Sequence, residues 1–236
     1  MITGIDEAGR GAVIGPLVVA GVTVRKQDER KLKEMGCKDS KVLSPKRREE
    51  LARKIEKVAT KIIVMRIQPC TIDDYRAGGI NLDKIEAMKM AQIIGMNMDG
   101  PKNVTYVDAL TQNPKRFEQT ILMYLKRDDA EMVVRNYMDE SVVVVSAASI
   151  IAKTERDSAI EDIKRKVGVD FGVGYPHDAR TIEFIDSLVK QRKELPAFVR
   201  KSWVTTQNII ESIWQRKVKD FFLGKEQVTG GKASEA

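Results

Sequence analysis

Histidine and cysteine are scarce in this sequence. Its 236 residues hold one histidine, His177, and two cysteines, Cys37 and Cys70. A zinc finger needs about four such ligands and an HExxH metalloprotease needs two histidines, so neither can be assembled. Two cysteines give no disulfide framework and read as reduced thiols of a cytosolic protein. A Ser-His-Asp triad would have to be built on His177. Long apolar runs are missing too. The longest uncharged stretches, Gly11 to Val24 and Ser141 to Ala152, fall short of the ~18 residues that a membrane span requires. Asp6 and Glu7 stand where a signal peptide would carry a basic and then an apolar region. A soluble, cytoplasmic protein is expected.

Charge is abundant. Lys and Arg number 41 against 34 Asp and Glu, a net charge of +7, which permits nucleic acid as a partner without requiring it. Hydrophobic residues at 42% and charged residues at 32% are globular values and exclude disorder for the bulk of the chain. On a prior of ~150 residues per domain, the length suits one large domain or one with a small appendage. A chain of this size buries a core without a disulfide or metal staple.

Met1 to Asp6 reads as a short strand, followed by a bend at Gly9-Arg10-Gly11 and a β-branched run from Pro16 to Val24. Lys61 to Gln68, Asn103 to Val107 and Glu131 to Arg135 read as three more strands. Ser44-Pro45 is a helix start, with serine as the cap and proline in the first turn. Leu51, Ile55 and Val58 then share a face, and Leu82, Ile85, Ile93 and Met96 mark a second amphipathic helix. Another helix is expected around Arg116 to Lys126. Ser141 to Val145 is β-rich, with a helix beginning at Ser146. Further helices follow Thr181 and run from about Thr205 to Phe222, ahead of a polar tail from Gly224 to Ala236. Strands and helices alternate, so the expected fold class is α/β with a helical C-terminal portion.

Asp6-Glu7 falls where the first strand runs out, and Asp108 ends another apolar strand. Polar residues at strand ends are commonly plain turn residues. Two such ends in adjacent strands would instead bring acids together. Neighbouring residues in a strand point to opposite faces, so one of the pair faces a shared site while the other reaches in from the bend. Carboxylates without His or Cys favour hard cations, Mg²⁺ or Mn²⁺. Four of them within ~5 Å would repel by ~3 kcal/mol per pair at an effective dielectric of 20, so such a cluster makes sense only around a cation. A basic protein with an acidic metal site suits phosphoryl transfer. The glycines at 9, 11 and 15 match neither a dinucleotide-binding loop nor a Walker loop. Ser149 and Lys153 lie i,i+4 on a helix, so a Ser-Lys hydrolase dyad is a competing reading that EDTA would separate.

Gly4-Ile5-Asp6-Glu7-Ala8-Gly9-Arg10-Gly11, Asp39-Ser40-Lys41, Tyr106-Val107-Asp108-Ala109 and Ser146-Ala-Ala-Ser-Ile-Ile-Ala-Lys153 resemble ribonuclease HII. Gly174-Tyr175-Pro176 and Arg200-Lys201-Ser202-Trp203 point to the archaeal form. The resemblance runs in family order from residue 4 to about 205. It implies an RNase H-like five-stranded mixed sheet flanked by helices. Residues 1–180 would form the catalytic domain, 181–223 a helical extension and 224–236 a disordered tail. It implies an endonuclease that cuts the RNA strand of RNA–DNA hybrids and excises single ribonucleotides from duplex DNA, leaving a 3′-hydroxyl and a 5′-phosphate, with a role in DNA replication and repair. The runner-up is another RNase H-fold nuclease, resolvase- or integrase-like, acting on DNA alone.

Carried over to this sequence, the family's metal-binding and catalytic carboxylates fall on Asp6, Glu7, Asp108 and Asp139. The setting of the fourth departs from the family's usual Lys-Ala-Asp, reading Tyr137-Met138-Asp139-Glu140, and Asp139 is preferred to Glu140 because it keeps the spacing to Ser146. The resemblance implies two-metal hydrolysis with Mg²⁺ or Mn²⁺, the pair ~3.5–4 Å apart, one activating water and one stabilising the leaving 3′-oxygen. The backbone of Gly9, Arg10 and Gly11 would contact the ribose 2′-hydroxyl, the group that separates RNA from DNA. Tyr175 would pack on the next deoxyribose, and Lys41 and Lys153 would hold phosphates. Finally, Gln215, Val218, Phe221 and Phe222 fit a Q-x-x-h-x-x-aromatic-aromatic box and resemble the segment that docks on the sliding clamp PCNA. The same stretch, with Ile210, Trp214, Val218 and Phe221, also fits the apolar face of a helix packed on its own domain. Nothing in the sequence calls for an oligomer, and a monomer is expected.

Overall fold

Five β-branched stretches become strands: β1 (Ile2–Ala8), β2 (Leu17–Val24), β3 (Lys61–Ile67), β4 (Val104–Asp108) and β5 (Glu131–Arg135). The computed structural model describes residues 1–37, 43–98, 102–109, 111–191 and 194–215. The strands form one mixed sheet in the order β3-β2-β1-β4-β5. β1 lies in the middle, antiparallel to β2 with Asp6 opposite Ala20, and parallel to β4 with Ile5 opposite Val107. The ends of β1 and β4 that carry Asp6 and Asp108 therefore lie side by side. This is the five-stranded mixed sheet that the family resemblance implies.

The helices are α1 (Glu29–Glu34), α2 (Pro45–Val58), α3 (Pro69–Ala77), α4 (Leu82–Met98), α5 (Pro114–Leu125), α6 (Met138–Ser141), α7 (Val143–Val167) and α8 (Ala179–Lys190), then α9, 204–215. The Ser44 hydroxyl accepts a hydrogen bond from the Arg47 N–H, capping α2 as its sequence suggests. Alternation along the strands divides the core between the two faces of the sheet. On one face Val18, Ala20 and Val22 pack with Leu51, Val144 and Ala148 of α2 and α7. On the other, Ile5, Val19 and Val107 pack with Ile85, Ile93 and Ile121 of α4 and α5. A third cluster joins Val13, Ile14, Ile160, Phe171, Ile185 and Val199, so the turn after β1 packs against residues drawn from 160 to 199.

Two expectations need correction. The Ser141–Val145 run is not strand and its helix does not wait for Ser146, because α6 occupies 138–141 and α7 begins at Val143. The reason is tertiary. A Cβ on Gly4 would lie 2.2 Å from the Val144 carbonyl oxygen, so the bare glycine lets the first turn of α7 rest on β1. Met96 is 53% exposed, and α4 buries Met90, Ile93, Ile94 and Asn97 instead. The helices α1 and α3 were not anticipated. Among the described residues, no helix is long and apolar enough to cross a membrane.

Candidate active site

Asp6 and Glu7 are both buried at the end of β1, and strand geometry sends them to opposite faces. Asp6 faces α7 and Glu7 faces α4, as their neighbours show: Ser149 and Lys153 act on Asp6, Glu86 and Arg10 on Glu7. Asp108 reaches the Asp6 side from β4. Asp139 arrives from α6, the helix entered through Tyr137 in the left-handed region at φ 60°. That bend lets the Met138 amide donate to Asp108 Oδ1 at 2.9 Å. The Ser146 hydroxyl donates to the Asp139 carbonyl at 2.6 Å, tying α6 to α7. The outcome is three buried carboxylates, Asp6, Asp108 and Asp139, each offering an oxygen within 4.8 Å of the others.

The electrostatics are those of a site built for a cation. Burial pushes Asp6 up to about 7; Ser149, the Glu7 amide and Lys153 oppose the rise and Asp108 adds to it. Burial, then Glu86 and Asp6, holds Glu7 well above the usual carboxylate range. Both Glu7 carboxylate oxygens are buried without a hydrogen-bond partner, a costly state for a carboxylate unless a ligand serves it. The donor set is all oxygen, which suits Mg²⁺ or Mn²⁺ over softer metals. Residues and group fit.

Beside the acids lies a groove of about 420 Å³ lined by Glu7, Arg10, Gly11, Lys153, Tyr175 and His177, with Arg48 and Arg156 in its wall. Gly9, Arg10 and Gly11, the start of the turn that runs to Gly15, line it. Gly9 has φ +85°, and a Cβ there would sit 2.7 Å from the Pro16 carbonyl, so only glycine fits. Arg200, fully buried, ties the turn down: its Nη2, Nη1 and Nε donate to the carbonyls of Gly9 at 2.6 Å, Arg10 at 2.8 Å and Gly15 at 3.2 Å. In a planar trans peptide the carbonyl and the following N–H point in opposite directions. The amides of Arg10 and Gly11 are therefore turned away from Arg200, as donors on the far side of the turn.

A model of the ribonuclease HII family matches residues 3–206. The chain belongs to the ribonuclease HII family. It is 40% identical over 220 residues to ribonuclease HII of Methanococcus maripaludis, covering 92% of this chain and 90% of that one. With the ribonuclease HII of Methanothermobacter thermautotrophicus the identity is 44% over 209 residues, 87% and 97% of the two chains. Among solved structures, ribonuclease H2 from Pyrococcus horikoshii matches at a TM-score of 0.80 and 37% identity, over 89% of this chain and 97% of that one. A ribonuclease HII solved in complex with PCNA, from Archaeoglobus fulgidus, matches at 0.78 and 39%, over 89% and 96%. As a ribonuclease HII the chain is a type 2 ribonuclease H, an endonuclease acting on RNA paired with DNA. This sets aside the DNA-only nuclease. Ribonucleases H work with divalent cations, and the acid trio is a ligand set that could hold one.

The other sequence-predicted residues of this ribonuclease HII fall in three groups. Lys153 and Tyr175 line the groove, where Tyr175 lies between the Arg156 guanidinium, 4.3 Å from its centroid, and the His177 ring at 5.4 Å. Gly9, Arg10 and Gly11 also line the groove, and the Arg10 side chain pairs with Asp83 and Glu86 of α4. Lys41, Val218, Phe221 and Phe222 lie outside the described residues, while Gln215 is exposed at the end of α9. Ser149 is fully buried, which removes the Ser-Lys dyad, because a nucleophile must meet its substrate. Sequence reasoning missed Arg156, Arg200 and Glu86. Arg200 stood in a quoted string, but nothing in one sequence separates a buried arginine from a surface one.

Proposed function

We propose that the enzyme incises duplex DNA at single ribonucleotides as well as cutting the RNA strand of longer hybrids, leaving a 3′-hydroxyl and a 5′-phosphate. The carrying observation is the pairing of a buried acid trio with a turn whose Gly9 and Arg10 carbonyls accept from Arg200, leaving the Arg10 and Gly11 amides to meet a ribose 2′-hydroxyl. Asp6, Asp108 and Asp139 would hold Mg²⁺ or Mn²⁺, with Glu7 serving from the other face of β1 as part of a two-metal site. Such cations lower the pKa of a water and take up the charge that develops on phosphate and leaving oxygen. Lys153 holds a phosphate beside the acids. Tyr175, braced by Arg156, packs on the deoxyribose that follows the ribonucleotide. The segment from residue 181 acts as an extension that completes this site through Arg200. Cleavage of a one-ribonucleotide duplex beside its all-DNA twin, with Mg²⁺, Mn²⁺ or EDTA, tests the reading. Cutting of both duplexes alike, or cutting in EDTA, overturns it.

The C-terminal box supports a second element of function. α9 buries Thr206 and Ile213, while Trp214 is 60% exposed and Gln215 lies at the surface. We infer docking on a sliding clamp through Gln215, Val218, Phe221 and Phe222, by an enzyme that acts as a monomer in the cytoplasm during replication and repair. The solved relative from Archaeoglobus fulgidus is in complex with PCNA. Phe221→Ala with Phe222→Ala is expected to abolish clamp capture in a pull-down and to spare cleavage of a short free duplex.

A further inference from the structure

Arg10 carries two jobs in one residue. Its carbonyl is held by Arg200 and its amide faces the other way, yet its long cationic side chain must also be placed. The structure places it on α4. Nη1 donates to Glu86 Oε2 and Nη2 to Asp83 Oδ1, two carboxylates one helical turn apart, in a forked contact. Glu86 is 2% exposed and its other oxygen is buried without a partner. A buried carboxylate in that state is expensive to keep for stability alone, because an apolar side chain of similar volume is often as stable or better. Glu86 also faces Glu7 across the same side of the sheet and raises its proton affinity, so its charge adds to the repulsion within the acid site. Arg10 is the cation that stands between the two carboxylates.

We propose that Glu86 is a positioning residue for ribose recognition: with Asp83 it anchors the Arg10 guanidinium to α4, and so gives the Gly9–Gly11 turn a second fixed point besides Arg200. This rests on the reading that the turn contacts the 2′-hydroxyl. Two consequences follow from the loss of Glu86. The turn gains freedom at the residue whose amide must be aimed, and the guanidinium is released from its deepest partner. A freed arginine beside the groove attracts the phosphates of any duplex, with or without ribose.

The test uses the full-length protein with Glu86→Gln, which keeps the shape and one acceptor, and Arg10→Ala, Arg10→Lys and the double variant Arg10→Ala/Glu86→Gln. Glu86→Gln is expected to lower kcat/KM on a one-ribonucleotide duplex about tenfold or more, the rate equivalent of one charge-assisted hydrogen bond. The loss should fall on kcat, and affinity for the all-DNA duplex should rise. Arg10→Lys, which restores a cation but not the fork, should recover part of what Arg10→Ala loses. The double variant should be no worse than Arg10→Ala, since the second change acts only through the first. A Glu86→Gln enzyme with a lower melting temperature but wild-type kcat and discrimination would overturn the proposal, as would additive losses in the double variant. If Glu86→Gln does not fold, the double variant, which removes both charges, decides by the same comparison with Arg10→Ala. A wild-type enzyme that fails to discriminate ribose would sink the recognition reading instead, and hybrid binding across the four variants would still measure the Arg10–Glu86 coupling.

Discussion

The end of β1 and the turn that follows it treat buried charge in opposite ways. In the first, like charges face each other: Asp108 raises Asp6, Glu86 and Asp6 raise Glu7, and both Glu7 oxygens are left without a partner. In the second, all three guanidinium nitrogens of Arg200 donate to carbonyls, and the Arg10 fork is filled by two carboxylates. The first region is a receptor for something absent from the chain itself; the second holds a backbone in place, with one Glu86 oxygen left without a partner. Where the cations find their acceptors, buried charge is scaffold, and where carboxylates crowd without donors, it is a site.

The sharpest way to break this contrast is to neutralise the frustrated half. Asp108→Asn is expected to lower turnover by about 10³-fold or more, because several kcal/mol of transition-state charge stabilisation depends on the acid trio. Its metal-free melting temperature should stay level or rise, since one member of a repelling set is gone. Asp139→Asn should behave alike and Glu140→Gln should be mild, as read by single-turnover cleavage. A reversed order would move the ligand role to Glu140. Removing satisfied charge should do the opposite to stability. Arg200→Ala removes a donor from three carbonyls, of which only that of Gly9 keeps another in the Ala12 amide, and opens a cavity, a loss of about 3 kcal/mol in urea unfolding.

A gentler perturbation is pH. Burial puts Asp6 and Glu86 at about 7 in the folded chain, above their ordinary values of 3.8 and 4.5. The folded state therefore binds more protons than the unfolded one between those limits, and stability falls as pH rises through that window. Metal-free protein should melt lower at about pH 8 than at about pH 5, and Mg²⁺ should reduce the difference. A flat profile in EDTA would mean that the acids are better satisfied than their surroundings indicate. The smallest expected effect is at Tyr175. Tyr175→Ala removes the ring between Arg156 and His177 and should slow cleavage at a single ribonucleotide about fivefold more than cleavage of a long hybrid, the worth of one ring contact. Equal losses on both substrates would make it a general contact.

The legible parts of this molecule are those that local chemistry decides. β-branched runs became the five strands, Ser44-Pro45 became a cap, and acids at the ends of two apolar strands met because those strands are neighbours. The Ser141–Val145 run misled because its helix depends on Gly4, some 140 residues away, leaving room for the Val144 carbonyl. The partners of the Arg10 side chain were invisible for a similar reason: they are 73 and 76 residues distant, so one sequence shows the backbone motif and not the helix that holds its arginine. Residues whose role is to hold others leave no periodic trace.

Arg200 meets Gly9 across a sequence separation of 191 residues. In time, that separation is a delay. At ~5–20 residues per second, a ribosome that has made the turn waits ~10–40 s before its anchor is added. All four carboxylates at the acid end emerge well before it, the last of them at Asp139. The nascent chain can thus gather its acidic centre first and anchor its Gly9–Gly11 turn last, and the ribose discrimination proposed for that turn would be among the final properties that the growing polypeptide acquires.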